Sequence, residues 1–303
     1  MENEIRQSIL RTVLYSDIFD YPLTSEQIWK FLLTPKKVKR DNFEKILEDI
    51  RLPVVEKRGW YFLNGREKIL KKRINRKRES EKKIKISGNT AKMLSIIPSV
   101  LLIGVSGGVS LYNADKKDDI DFFVVTKENS LWSTRLLAIL LLKIMGKHRS
   151  RKDKKVADKI CLNMLISEDN LEFSKDRKDL YTAHEIVQMI PIFNRNKTFE
   201  KFMSKNLWVK EYMPNSFDEV RDKRISAKGG SASGRKDKKQ PAVINYLLLT
   251  IEFLVKEIQL WYIRRHTEKE IILGGILAFH PIDYKSEIME AFEKKLKKYG
   301  QKI

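Results

Sequence analysis

The sequence predicts an α+β fold: a helical N-terminal unit closed by a hairpin, a small central mixed β-sheet, and a helical C-terminal region. Three patterns carry this expectation. Apolar residues recur at helical spacing through residues 5–50. Two apolar runs, Val100 to Val105 and Ile120 to Val125, read as buried strands. From Asp179 onward helical spacing returns. A length of 303 residues is about two domains' worth, and 42% apolar residues suffice for a packed core.

In the N-terminal unit, Ile5, Ile9, Leu10, Val13 and Leu14 share one helical face, and the helix ends before Tyr21-Pro22. Thr24 and Gln27 form a capping box that opens a second helix through Ile28, Trp29, Phe31 and Leu32. A third helix, Asp41 to Ile50, turns Phe43, Ile46 and Leu47 inward. Val54 to Leu63 then reads as two short strands turning at Lys57-Arg58-Gly59. Three short helices followed by a hairpin resemble a winged helix-turn-helix domain over residues 1–65. The resemblance implies that Asp41 to Ile50 enters a DNA or RNA groove with Lys36, Lys37, Lys39 and Arg40 near phosphates. Docking of the unit on its own catalytic domain or on another protein fits the same elements, because fold does not fix function.

Residues 66–98 form a basic helical connector. Between Arg66 and Lys85 eleven Lys or Arg stand against three Glu, so the helix has a very positive face that tracks a phosphate backbone or is simply solvated. No aromatic residue interrupts the run to stack on bases. The formal net charge of +21 favours an anionic partner, nucleic acid first and an anionic membrane surface second.

Residues 99–195 hold the chemistry. The run Val100 to Val105 stops at Ser106-Gly107-Gly108, where small residues let a ligand approach the backbone. After a short polar connection the chain returns as Asp119-Ile120-Asp121-Phe122-Phe123-Val124-Val125. Side chains alternate along a strand, so Asp119 and Asp121 point to the same face. Two adjacent carboxylates repel, a divalent cation between them relieves the repulsion, and oxygen ligands suit magnesium carrying a nucleotide's phosphates.

A glycine pair followed by Asp-x-Asp on the next strand resembles the signature of the DNA polymerase beta nucleotidyltransferase superfamily, over roughly Ser99 to Ser167. The resemblance implies a nucleotidyltransferase-like domain. In it Ser106, Gly107 and Gly108 bind the triphosphate through the backbone, helped by the positive end of a following helix. Asp118 stands where relatives often have Ser, and Asp119 and Asp121 are the catalytic, magnesium-binding pair. The implied reaction moves a nucleoside monophosphate from a nucleoside triphosphate to an acceptor hydroxyl. A third acid is expected on the next strand, Ile160 to Ile166, but alternation leaves only the neutral Asn163 on a face with Cys161 and Leu165. Glu168, Asp169 and Asp158 remain open as substitutes. The competing reading is a catalytically degraded relative acting as a nucleic-acid-binding regulator.

The rest completes the layout. Leu131 to Met145 reads as a helix capped by Asn129 or Ser130 and ended at Gly146, followed by a basic loop from Lys147 to Lys159. Residues 196–303 form the helical C-terminal region, with a Gly-, Ser- and Lys-rich flexible loop at 221–239. His184-Glu185 reads as helix surface or core, and Trp208, Tyr212, Trp261 and Tyr262 as core. The single Cys161 excludes an intramolecular disulfide or cysteine zinc cluster. The apolar stretches 131–145 and 243–263 carry charges that are costly at bilayer depth, so they read as core helices. The N-terminus lacks the order of a secretory signal, and a cytoplasmic protein is expected.

Overall fold

The computed structural model describes residues 2–150, 153–217, 242–266, 271–273, 275–278 and 282–301. The loop expected at 221–239, and Arg151 and Lys152 of the basic loop, lie outside them.

The N-terminal unit contains α1 (Glu2–Asp17), α2 (Ser25–Lys30), α3 (Arg40–Glu48) and an antiparallel hairpin of β1 (Val54–Lys57) and β2 (Trp60–Leu63). Thr24 Oγ1 accepts from Gln27 N–H at 3.3 Å and Gln27 Oε1 accepts from Thr24 N–H at 3.0 Å, the capping box read from the sequence. Helix α3 buries Phe43, Ile46 and Leu47. Its outer face exposes Asp41, Glu44 and Glu48 beside the single Lys45. Arg40 is held by Glu26 and Glu44 over the Trp29 ring.

A mixed sheet of six strands forms the centre: β3 (Val100–Val105), β4 (Ile120–Thr126), β5 (Ile160–Ser167), β6 (Ile190–Asn194), β7 (Ile271–Leu273) and β8 (Ile276–Ala278). The order is β6-β3-β4-β5-β8-β7, and only β4 and β5 run parallel. A parallel pair needs a crossover, supplied here by α6 (Leu131–Ile144). The C-terminal region is therefore not wholly helical as expected: β7 and β8 cap the edge of β5 on either side of Gly275, whose φ of 87° suits a tight turn. Strand β6 follows the helix Leu180–Gln188 directly and interrupts the helical spacing expected from Asp179 onward. Its Pro191 cannot donate to a ladder and sits where the sheet ends, as an edge strand permits.

The sheet separates two cores. Ile103, Val105, Phe122, Val124 and Leu165 face the long basic helix α4 (Lys68–Leu94), α6 and the end of α9 (Ala242–His266). On the other side Leu102, Phe123, Val125 and Ile166 meet α7 (Leu180–Gln188), α8 (Thr198–Lys205) and the N-terminal unit in one continuous core. Tyr15 of α1 stacks on His184 of α7 at 4.2 Å, with Phe292 of α10 (Ile282–Lys298) at its edge. Helix α9 departs from the core-helix expectation. It packs on α6 and buries Leu260 and Ile263, while Tyr246, Phe253, Ile258, Trp261 and Tyr262 are exposed. Among the described residues no helix is long and apolar enough to cross a membrane.

Much of the positive charge on α4 is spent inside the protein. Arg73, 3% exposed, lies over the Tyr21 ring, and its guanidinium donates to Tyr112 O and Tyr21 Oη. Arg76 binds Asp115 and the Phe19 carbonyl, and Lys72 pairs with Asp20. Lys83, 1% exposed, donates to the Asp118 carbonyl at 2.7 Å, the Lys116 carbonyl at 3.4 Å and Asp158 Oδ1 at 2.8 Å. Ser80 Oγ accepts from Ala114 N–H at 3.0 Å. One face of α4 thus braces the loop that delivers Asp119. Lys83→Met fills similar volume but removes three hydrogen bonds to part-buried acceptors, so denaturant unfolding is expected to lose about 1–3 kcal/mol.

Candidate functional site

At the end of β3 the chain turns through Ser106 into a single helical turn, α5 (Gly107–Ser110). The longer helix expected to present a positive end to phosphate is therefore one turn. Gly107 adopts φ 63°, and a Cβ there would lie 2.7 Å from Asp121 Oδ2. No other residue type fits this position without displacing the carboxylate. Gly108 is different, because a Cβ there would make only ordinary contact with Ala114.

Ser106 N–H donates to the Asp121 carbonyl at 3.0 Å, which fixes the turn against β4. Asp119 and Asp121 do come together, and the parallel register puts Cys161 of β5 beside Asp121. One ligand atom from each of Asp119, Asp121 and Cys161 lies within 4.8 Å of the others. Arg149, from the loop after α6, closes the group: its Nε lies 3.0 Å from Asp119 Oδ2, and its Nη1 donates to Cys161 Sγ at 3.3 Å. The Nε–H is not aimed at the oxygen, so Asp119 Oδ2 is buried and accepts no hydrogen bond there. Such an oxygen suits a cation, and the group can hold a metal ion.

Burial raises the Asp121 carboxyl to about 8, reinforced by the charges of Asp119 and Glu185 and opposed by Arg149. Burial, with Asp121 adding to it, lifts the Cys161 thiol to about 12, so the thiol stays neutral. Two carboxylates suit a hard, oxygen-seeking ion such as magnesium, and a neutral thiol adds little to it.

The expected third position is reassigned by the strand register. Asp121 pairs with Cys161 but Phe123 with Met164, so β5 carries one extra residue, a bulge, between them. Strict alternation fails at that point. Leu165 joins the opposite core, while Asn163 and Met164 both line a cavity on the Asp121 side. The open substitutes are engaged elsewhere: Asp158 with Lys83, Asp169 with Ser167, and Glu168 with Glu128 N–H.

A carboxylate that sequence reasoning passed over is Glu185. Helix α7 packs over α5 and turns Glu185 into the cavity, while the adjacent His184 is sequestered against Tyr15. Burial raises Glu185 to about 7 and depresses His184 to about 3, leaving that imidazole neutral. Glu185 is surrounded by protein except where it meets the cavity. A signal existed: it is the only Asp, Glu, Lys or Arg in the nine residues of α7.

No protein-family model, no curated protein and no solved structure matches this chain.

Asp121 binds its proton more tightly folded than unfolded, so unfolding releases a proton between the ordinary carboxylate value near 4 and about 8. Its contribution is present below that window and lost as pH rises through it. Asp121→Asn carries no titrating proton. Its melting temperature is expected to fall less from pH 5 to 8 than that of the wild type, and parallel slopes in scanning calorimetry would remove Asp121 as the source.

Proposed function

We propose that the protein is a nucleotidyltransferase that moves a nucleoside monophosphate from a nucleoside triphosphate to an acceptor hydroxyl, using magnesium at Asp119 and Asp121. The observation that carries this reading is the half-buried carboxylate pair, whose Asp121 packs directly against the Gly107 turn. A pair held so close, with one buried oxygen accepting no hydrogen bond, is arranged for a cation. The resemblance of Ser106-Gly107-Gly108 and Asp119-x-Asp121 to the DNA polymerase beta superfamily supports the same reading.

In this mechanism the N–H groups of Gly107 and Gly108 meet the triphosphate, which the close-fitting glycine lets near the carboxylates. Asp119 and Asp121 would hold magnesium, which would supply positive charge to offset that of the phosphates. Arg149 shifts from balancing the carboxylates to facing the phosphates, where its guanidinium is well shaped to bind. Glu185 accepts the proton of the attacking hydroxyl. A carboxylate near 7 is suited to that task, and it enters from a helix rather than from the third strand.

The N-terminal elements fit a winged helix, and we read it as a docking unit. Its α3 presents an acidic outer face, which a phosphate backbone would repel. The nucleic-acid reading draws instead on the exposed Lys68, Lys71, Lys77, Arg78 and Lys85 of α4.

Isothermal calorimetry with magnesium and each nucleoside triphosphate tests the assignment. Asp119→Asn and Asp121→Asn are expected to weaken binding about tenfold or more, the scale of one lost charge-assisted contact. Unchanged affinity in both would refute the site. Glu185→Gln is expected to keep nucleotide affinity but to lower pyrophosphate release by roughly 10²–10⁴-fold.

A further inference from the structure

Beside the carboxylates the sheet carries a cavity of about 420 Å³, within the range of small-molecule sites. Its floor is Phe123, Met164 and Ala278 from three adjacent strands, and its roof is Tyr181 and Ile186 of α7. Ser106, Asn163, Thr182 and Glu185 interrupt these apolar walls. Ser106 is 6% exposed and its Oγ has no hydrogen-bond partner. The Glu185 carboxyl receives no hydrogen bond from the described residues. Buried polar groups are nearly always satisfied, so the unpartnered Ser106 hydroxyl awaits a ligand that supplies its partner, and Glu185 opens onto the same space.

The same end of the cavity reaches the carboxylates. Ser106 is bonded to the Asp121 backbone, and Phe123 follows Asp121 by two residues on the same strand face. Glu185 lies close enough to Asp121 for its charge to bear on that carboxyl. An anionic ligand would meet this acidic end at a cost. At the rim Lys285 pairs with Asp179 at 2.5 Å, and Asp176 lies near Arg177, whose Nη2 is buried without a hydrogen-bond partner. The apolar walls suit a molecule with a flat apolar body, and Glu185 and Ser106 suit one hydroxyl that donates to the carboxylate and accepts from the serine.

We infer that this cavity is the acceptor site, and that the acceptor is an uncharged, largely aromatic small molecule whose hydroxyl lies between Glu185 and Ser106. This rests on the transferase reading above. In the step it implies, the hydroxyl oxygen bonds to the α-phosphorus as the bond from that phosphorus to its bridging oxygen breaks. Pyrophosphate leaves with the electron pair, and the hydroxyl proton passes to Glu185.

The test uses the full chain and a matched pair of probes, 2-naphthol and 2-methoxynaphthalene, in equilibrium dialysis. 2-Naphthol is expected to bind about tenfold more tightly than its methyl ether, the scale of one hydrogen bond to a carboxylate. Glu185→Leu is expected to abolish that preference. Ala278→Leu, which fills the floor, is expected to lose both probes while keeping its affinity for magnesium and ATP. Should Ala278→Leu fail to fold, Ile186→Phe narrows the same cavity from the roof. Failure of either probe to bind wild type, or wild-type binding of 2-naphthol to the filled variants, overturns the proposal. A matching loss of ATP affinity in the filled variants also overturns it, because the cavity then holds the nucleobase. If wild type binds 2-naphthol as described but binds no nucleotide, the ligand site stands and the transferase reading falls.

Discussion

The constraint on which the site depends is the crowding of negative charge under one glycine. Asp119 and Asp121 share a strand face, and Gly107 curls over Asp121 so closely that even a methyl group would collide with it. Like charges in a poorly hydrated place separate, take up a proton or find a cation. Here all three responses are available. Asp121 holds a proton up to about pH 8, Arg149 leans on Asp119, and a divalent ion can replace both. The fold spends rigidity to prevent separation: Ser106 ties the turn to β4, and Lys83 grips the carbonyl just before Asp119.

That grip explains a feature that composition misrepresents. A run of eleven basic residues invites a reading as a polyanion track, yet Arg73, Arg76 and Lys83 point inward along one face of α4. Burying an ammonium is tolerable only when several oxygens surround it, and Lys83 has three. The remaining exposed lysines keep their solvation. A positive sequence therefore divides into an internal brace and an outer face, and only the outer face can contribute to the attraction implied by a net charge of +21.

Where local chemistry decides structure, the sequence was legible. Thr24 and Gln27 announce their capping box, Phe43, Ile46 and Leu47 their buried stripe, and Asp119 and Asp121 their common face. Legibility ended where tertiary context overrode a local pattern. Strands β7 and β8 are three residues each, too short to show a period, and exist because β5 offers an unpaired edge. The bulge in β5 is invisible to strict alternation, which puts Leu165 on the face of Cys161 and Asn163 although it joins the opposite core. Glu185 was hidden for a related reason: an isolated carboxylate in a helix reads as solvent-facing until the helix is known to be covered on most sides.

In the transferase reading proposed above, the third acidic group comes from a helix instead of a strand, which has a physical consequence. A carboxylate on β5 would add a third charge at the distance of adjacent strands, about 5 Å, where the repulsion already raising Asp121 would grow. Cys161 in that place is uncharged near neutral pH and lets the pair sit close. Glu185 instead meets the group from across the cavity, far enough to titrate near 7 under its own burial and near enough to influence Asp121. Counter-charge arriving at the pair lowers the proton affinity of both carboxyls, Asp121 first because it is closer. Glu185 is then ionised, and so able to accept a proton, at a pH where the empty site would leave it partly protonated. Cation binding and readiness of the base are thus linked by electrostatics alone, without a change of fold.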